Sequence, residues 1–393
     1  MRSIAPFPAT ARDYRDLAMR RLPRFLFDYI DGGAGEEHTL AANVADYALL
    51  RLRQRVLLDV SHVDTSTTLA GRSCRLPLAL APVGLAGMMA RRGEVQGVRA
   101  ADAAGVPFTL STVGVCSLAE LQAAAREPFW FQLYMLRERD VVRALLERAW
   151  TAGCRTLVFT VDLPLPGIRH RDTRNGLSAQ GARARWLRAR QVLARPGWLW
   201  DVALCGKPHS FGCLSDQVPG ARDFDAFKSW VDSQFDPSVG WADIAWLRGM
   251  WKGRLLLKGI LEVDDARMAV QAGADGVVVS NHGGRQLDSV ASSIAKLPAI
   301  IQAVGTQVEV LVDGGVRSGV DIFKALALGA RGVLIGRPWA WALAAAGSRG
   351  IQDLIDSLQR EFLLAMTLAG VTRVADIHAG HLERWLPEPG NFV

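Results

Sequence analysis

Gly276-Val277-Val278-Val279-Ser280-Asn281-His282-Gly283-Gly284-Arg285-Gln286-Leu287-Asp288 sets a short apolar run directly ahead of a base, an anion-binding fork and two glycines. A run of this length without alternation reads as a strand covered on both faces, and this one ends in polar chemistry. Arg285 stands three residues beyond His282, close enough for one side chain to hold a carboxylate while the other takes a proton from the adjacent carbon. That pairing suggests oxidation of a 2-hydroxy acid. The plainer reading is a loop with a satisfied histidine and a solvated arginine, so the rest of the chain must decide.

Runs of the same kind recur on both sides, at 77–82, 106–111, 130–134, 156–162 and 254–258 before it and at 308–313 and 332–336 after it. Between them lie helical stretches rich in alanine, leucine and charge, such as 141–152, 263–272 and 322–328, often stopped by Ala-Gly or Gly-Ala. Eight βα units in series predict an α/β fold, a (β/α)8 TIM barrel. A doubly wound open sheet is the alternative, since periodicity alone does not close a barrel. Strands start roughly 22 to 32 residues apart except between the fourth and fifth, where the interval is about 100, so a large insertion is expected after strand 4, over 173–240. Ahead of the first strand, an amphipathic helix at 11–20 and a second at 22–31 are expected to form an N-terminal helical cap. The chain, 1–393, is thus expected to be one barrel domain carrying an inserted lid or membrane-contact segment.

Half of the residues are hydrophobic and 22% are charged, which fits a globular enzyme and argues against disorder. The five cysteines are scattered without CxxC spacing, so neither a disulfide framework nor a thiolate metal site is indicated, and a reducing cytoplasm fits. No apolar stretch is long enough for export or for a transmembrane passage. A net charge of +7 raises the prior for an anionic substrate or cofactor, nucleic acid or an acidic membrane surface.

In a parallel barrel, the carboxyl ends of the strands face one common site. Ser111, Gln132, Tyr134, Thr160, Asp162, Lys258, His282, Asp313, Gly336 and Arg337 all stand at or just past the end of an apolar run. Singly each has a bland reading, Ser111, Thr160 and Asp162 as helix caps and Lys258 as a core lysine paired with a carboxylate. Together they describe a cofactor pocket. Asp313-Gly314-Gly315-Val316-Arg317 and Gly336-Arg337 follow the last two strands, where barrels commonly hold a phosphate. Lys258 would set a fixed positive charge near an electron-rich ring, and Ser111 and Gln132 offer the hydrogen bonds that a flavin's pyrimidine edge needs.

From about Asp13 to Asp376 these residues resemble the FMN-dependent 2-hydroxy acid oxidising family, which includes glycolate oxidase, lactate oxidase, mandelate dehydrogenase and the flavocytochrome lactate dehydrogenases. The stretch from Ser280 to Asp288 is similar to the family's signature. Phe27-Asp28-Tyr29, Phe131-Gln132-Leu133-Tyr134, Thr160-Val161-Asp162, Leu257-Lys258-Gly259 and Asp313-Gly314-Gly315-Val316-Arg317 are similar to its other blocks. Within the family, 24–34, Ala81-Pro82-Val83-Gly84-Leu85 and 89–96 look most like the bacterial quinone-linked L-lactate dehydrogenases. The resemblance implies FMN as the cofactor and oxidation of L-lactate to pyruvate. It gives His282 the role of base and Asp162 that of its partner. It implies that Arg285, Tyr29 and Arg169 bind the substrate carboxylate and that Tyr134 holds the hydroxyl. It implies that Ser111, Gln132, Thr160 and Lys258 hold the flavin ring and that Gly315, Arg317, Gly336 and Arg337 take the phosphate. It further implies that Pro82, Val83, Gly84, Ser280, Asp313 and Gly314 complete the cofactor contacts. The intact base and carboxylate clamp argue against a flavin-binding protein without turnover.

The electron acceptor is read from two further places. In the family's oxidases the residue at Gly84 is typically alanine, whereas the quinone-linked dehydrogenases resemble this chain in having glycine. In the insertion, Arg183, Arg185, Arg188, Arg190 and Arg195 interleave with Trp186, Leu187, Val192, Leu193, Trp198, Leu199 and Trp200. That pattern fits an anionic membrane surface with tryptophans at the interface; a solvated arginine-rich lid and nucleic-acid binding are the other readings. The expectation is a quinone acceptor, no nucleic acid, a homotetramer, and a peripheral location on the cytoplasmic face of the inner membrane. An oxygen-using oxidase is one alternative. Val113, standing where glycolate-type relatives have tryptophan, leaves open a larger acid such as mandelate.

Overall fold

All eight apolar runs form strands, and they pair in parallel around one sheet. The strands are β1 (Leu78–Leu80), β2 (Thr109–Ser111), β3 (Trp130–Leu133), β4 (Thr156–Thr160), β5 (Arg254–Ile260), β6 (Gly276–Val279), β7 (Glu309–Asp313) and β8 (Gly332–Ile335). Each pairs with its neighbour in sequence from β2 to β8, and β8 pairs with β1, Val333 opposite Leu78. A parallel bridge between Leu80 and Phe108 links β1 to the start of β2, so the sheet comes round on itself as a (β/α)8 barrel. The structure, a computed structural model, describes residues 7–179, 181–215 and 233–384. Parts of the expected insertion and both ends of the expected domain therefore lie outside the described residues.

The absence of alternation has a simple cause: both faces of every strand are buried. Ala79, Ala81, Trp130, Val158, Leu256, Val278, Leu311 and Leu334 pack together inside the barrel. Their neighbours Leu78, Leu80, Phe131, Leu157, Phe159, Leu255, Leu257, Val277, Val279, Val310, Val312 and Val333 join the layer beneath the helices. Side chains alternate between these two apolar environments. A hairpin of Thr67–Leu69 and Arg72–Cys74 adds Leu69, Ala70 and Cys74 to the inner cluster.

The N-terminal cap is α1 (Ala11–Arg21) and α2 (Arg24–Asp31), followed by α3 (His38–Ala48). Thr10 and Asp13 form a reciprocal capping box at the start of α1. The second helix starts two residues later than expected because Pro23 caps it: proline fixes the entry angle and lacks an N–H to donate. Arg15 grips the Asp31 carboxylate with Nε and Nη2, at 2.5 and 2.7 Å, and ties the two helices together. Burial raises the Asp31 pKa, but Arg15 and its cationic neighbours hold it below the usual range.

Between β4 and β5 lie α4 (His170–Arg174) and α5 (Ala182–Leu193), then helical turns from Pro196 to Leu204 and a helix at Trp241–Met250. Gln191 seats α5 by accepting from Phe25 N at 2.8 Å and donating to Asn175 O at 2.9 Å. Phe235 forms an antiparallel bridge to Leu136, and Arg139 pairs with Asp236 at 2.7 Å. One expectation fails here. Trp198 is no interfacial tryptophan: it is 4% exposed, and its indole N–H donates to Met88 O at 2.8 Å. A carbonyl below it, together with an apolar socket, draws the ring inward. Trp186 and Trp200, by contrast, are 63% and 69% exposed.

Candidate active site

Two residues beyond each inward-facing core side chain, the strands reach the mouth of the barrel. Val158 is followed by Thr160, Leu256 by Lys258, Val278 by Ser280, Leu311 by Asp313 and Leu334 by Gly336. Period-2 geometry therefore lays the polar strand ends as a floor over the inner core. Above this floor is a cavity of about 300 Å³, within the range of small-molecule sites.

Tyr29, Tyr134, Arg169, His282 and Arg285 line the cavity, together with Pro82, Val83, Gly84, Thr160, Lys258, Asp313, Gly314, Gly315, Arg317, Gly336 and Arg337. Four expected site residues stand just behind the wall. Asp162 holds His282, Ser280 accepts from Lys258 Nζ at 2.9 Å, and Ser111 donates to Gln132 Oε1 at 3.0 Å. Phe211 and Phe235 also line the cavity, although no motif announces them. Phe235 stacks edge-on against Tyr134, with ring centres 5.6 Å apart.

His282 Nδ1 and Asp162 Oδ1 are 2.8 Å apart, which leaves Nε2 of the imidazole uncommitted. Burial pushes the Asp162 carboxyl up, but the charge and hydrogen bond of His282 and the charge of Lys258 bring it below its ordinary value. It therefore stays anionic. His282 has a left-handed backbone, φ 56°, as do Gly283 and Gly284. For a β-carbon-bearing residue this conformation is uncommon and marks a turn held by its surroundings. The His282 amide donates to Ser280 Oγ at 3.1 Å.

Arg285 Nη1 donates to the carbonyls of Tyr29 and Gly32, at 2.5 and 3.1 Å. Its guanidinium lies 5.0 Å from the centre of the Tyr29 ring, and that of Arg169 lies 5.8 Å from the same ring. Arg169 is paired with Asp172 at 2.9 Å. Arg285 has no carboxylate partner among the described residues. Burial, reinforced by Arg169, pulls its pKa down to about 10. A substrate carboxylate would supply the missing counter-charge. Burial likewise raises the Tyr134 pKa well above its ordinary value, so the phenol stays protonated and able to donate.

The remainder of the cavity fits a flavin mononucleotide. Gln132 Nε2, Thr160 Oγ1 and Asp313 Oδ1 are buried polar atoms without hydrogen-bond partners, the hydrogen-bonding edge that a ring of donors and acceptors needs. Lys258 Nζ sits 2.9 Å from Asp313 Oδ2; burial lowers its pKa, but Asp313 and Asp162 outweigh that and keep it a cation. Arg317 and Arg337 converge at the other end. Burial brings the first down to about 10, and burial plus the charges of Arg285 and Arg317 take the second well below its usual value. A phosphate would neutralise both.

Gly315 has a further reason beside the one its loop suggests. At φ 88°, an added Cβ would overlap the carbonyl oxygen of Asn43 on α3, so glycine is demanded by packing against the cap. Gly315→Ala is expected to cost roughly 2–5 kcal/mol, the sum of an overpacked contact and a strained backbone. Urea unfolding of the purified variant measures the loss, and the variant should also retain less flavin.

The model of a family described as FMN-dependent dehydrogenase matches residues 18–384. An L-lactate dehydrogenase of Caulobacter vibrioides is 55% identical over 382 residues, 97% of this chain and 99% of that protein. Among solved structures, the monotopic membrane protein (S)-mandelate dehydrogenase superposes with a TM-score of 0.90 at 32% identity, covering 96% of this chain and 99% of the other. A mandelate oxidase gives 0.81 at 39% identity, covering 96% and 98%.

Proposed function

The chain belongs to the FMN-dependent dehydrogenase family, and from that membership we propose that it oxidises L-lactate to pyruvate and passes the electrons to a membrane quinone. Its cofactor is FMN, which supplies, when bound, the two-electron acceptor for the oxidation. Ser111, Gln132, Thr160 and Lys258 would hold the ring system, and Gly315, Arg317, Gly336 and Arg337 the phosphate.

One observation carries the reading: an uncompensated arginine and an aspartate-paired histidine open on the same cavity. Arg285, with Tyr29 and Arg169, binds the lactate carboxylate. Tyr134 donates to the hydroxyl oxygen. Held this way, the C2 centre stands before His282, whose Nε2 takes the proton that the oxidation releases. Asp162 holds the ring by Nδ1 and stabilises the imidazolium that forms.

Gly84 supports a dehydrogenase over an oxidase. A Cβ there would stand 2.8 Å from Val113 Cγ2 and 2.9 Å from the Tyr29 hydroxyl, so alanine would crowd the carboxylate site. Larger acids have their own support, because Val113, Leu177, Phe211 and Phe235 give the cavity an apolar side. Anaerobic reduction of the flavin by a panel of 2-hydroxy acids, followed by reoxidation with oxygen or a ubiquinone analogue, tests both points. L-lactate is expected to reduce fastest and the quinone to reoxidise at least about tenfold faster than oxygen; the reverse order in either step would replace that half of the reading.

Membrane attachment completes the proposal: a homotetramer held peripherally on the cytoplasmic face of the inner membrane. Trp186, Leu193 and Trp200 are 63%, 71% and 69% exposed, with Arg183, Arg185 and Arg190 among them. This combination suits insertion at an anionic interface. Replacing the three apolar residues with serine should cut cosedimentation with phosphatidylglycerol vesicles by about tenfold or more while leaving lactate turnover in solution intact; equal pelleting would remove this segment as the anchor.

A further inference from the structure

Behind the active site, α5 stands off from α2 and α4 and leaves an open groove among the three helices. Four arginines line it, Arg24, Arg171, Arg174 and Arg190, against one carboxylate, Asp28. Their charges are unevenly answered. Arg171 is spent on Asp31, at 2.9 Å, and on Glu37, and its Nη1 also stands 4.0 Å from Asp28 Oδ1, an ion pair too long for a hydrogen bond. Arg24 contacts Asp28 Oδ2 through Nε at 2.8 Å, and its side chain is otherwise largely exposed. Arg174 and Arg190 face no carboxylate among the described residues, and Arg190 lies against the face of Trp186, 5.8 Å from the ring centre. Like charges gathered without counter-charge make an anion site.

A second observation sharpens the ligand. Asp28 is 3% exposed, and its Oδ1 has no hydrogen-bond partner, although Asn175 Nδ2 donates to Oδ2 at 3.1 Å. A buried acceptor left open beside a cationic rim calls for a donor next to an anion. The polar floor is built: Gln191 and Asn175 fix α5 to α2 and α4 across it.

We propose that this groove is a second ligand site, taking a phosphate ester that carries a hydroxyl or ammonium donor beside its phosphate. Arg24, Arg174 and Arg190 take the phosphate, and Asp28 Oδ1 accepts from the donor. The site is separate from the flavin phosphate region, which uses Arg317 and Arg337. It adjoins the substrate site through α4: Arg174 lines the groove, while Asp172, on the same helix, lines the active-site cavity and pairs with Arg169. The ester has two sources, a soluble metabolite or a lipid headgroup. Only the lipid source rests on the membrane reading above.

The test uses the FMN-loaded enzyme. sn-Glycerol 3-phosphate is titrated by calorimetry into the parent, the R174A/R190A double variant and R285M. The parent and R285M are expected to bind alike, and the double variant about tenfold or more weakly, with lactate kcat and KM unchanged. In parallel, pelleting with phosphatidylcholine and phosphatidylglycerol vesicles identifies the source. In the vesicle arm R174A is used alone, because Arg190 also belongs to the anchoring face: a tenfold loss by R174A on phosphatidylglycerol alone assigns the site to a headgroup, and a loss confined to the free ester assigns it to a soluble ligand. Parent-like binding by the double variant to the ester and by R174A to the vesicles overturns the site, as does abolition of ester binding in R285M, which would place the ester in the active site. If the parent fails to pellet, the membrane reading falls and the ester titration still decides.

Discussion

Exchange of His282 for glutamine leaves a yellow, FMN-loaded protein that L-lactate reduces at least ~10⁴-fold more slowly, the upper end of what a positioned general base contributes. The glutamine amide matches the imidazole in size and stays polar, although its nitrogen falls near the place of Nε2 rather than of the Nδ1 that now meets Asp162, and the backbone bond to Ser280 Oγ is independent of the side chain. What it cannot do is accept a proton. Flavin retention follows because Lys258, Arg317 and Arg337 lie on other strands and loops and keep their charges. Anaerobic stopped-flow absorbance measures the rate; reduction above about 1% of the parent rate would remove His282 as the base.

The Arg285→Met variant is expected to lose about 10³ in kcat/KM for L-lactate, on the order of 4 kcal/mol, as when one partner of a desolvated charge pair is truncated. Methionine fills similar space but leaves the carbonyls of Tyr29 and Gly32 without their donor, so flavin content must be checked before the kinetics are read. Arg285→Lys separates charge from shape. It restores the cation without the planar fork and should recover only part of the loss. A methionine variant with parental kcat/KM would mean that the carboxylate binds elsewhere in the cavity.

The barrel and most of the cavity lining were legible in the sequence for the same reason. Strands buried on both faces appear as unbroken apolar runs, and the residue two beyond the last inward core side chain must stand at the mouth. Thr160, Lys258 and Asp313 could thus be placed without a contact map, and Asp162 could be placed near His282 although 120 residues separate them. The insertion offered no such rule. Phe211 and Phe235 reach the cavity by docking, and nothing in their neighbourhood has a period that points inward. Trp198 was misplaced because an interfacial and a core tryptophan look alike until a partner such as Met88 O is known. Gly315 was legible as a necessary glycine, but its packing against Asn43 was not, since Asn43 lies far away in the chain.

The long interval between β4 and β5 bears on how the chain finds its fold. Joining strands that start at Thr156 and Arg254 closes a loop about four times as long as the other connections, yet closure entropy grows only logarithmically, so the excess is about 1 kcal/mol. The bonds from Gln191 to Phe25 and from Trp198 to Met88 each return on that order. Those contacts join the insertion to segments far upstream, Phe25 on α2 and Met88 just after β1. Pairings within the first four strands and within the last four span short stretches of chain, and the long-range closures of the sheet fall at two seams, β4 against β5 and β8 against β1.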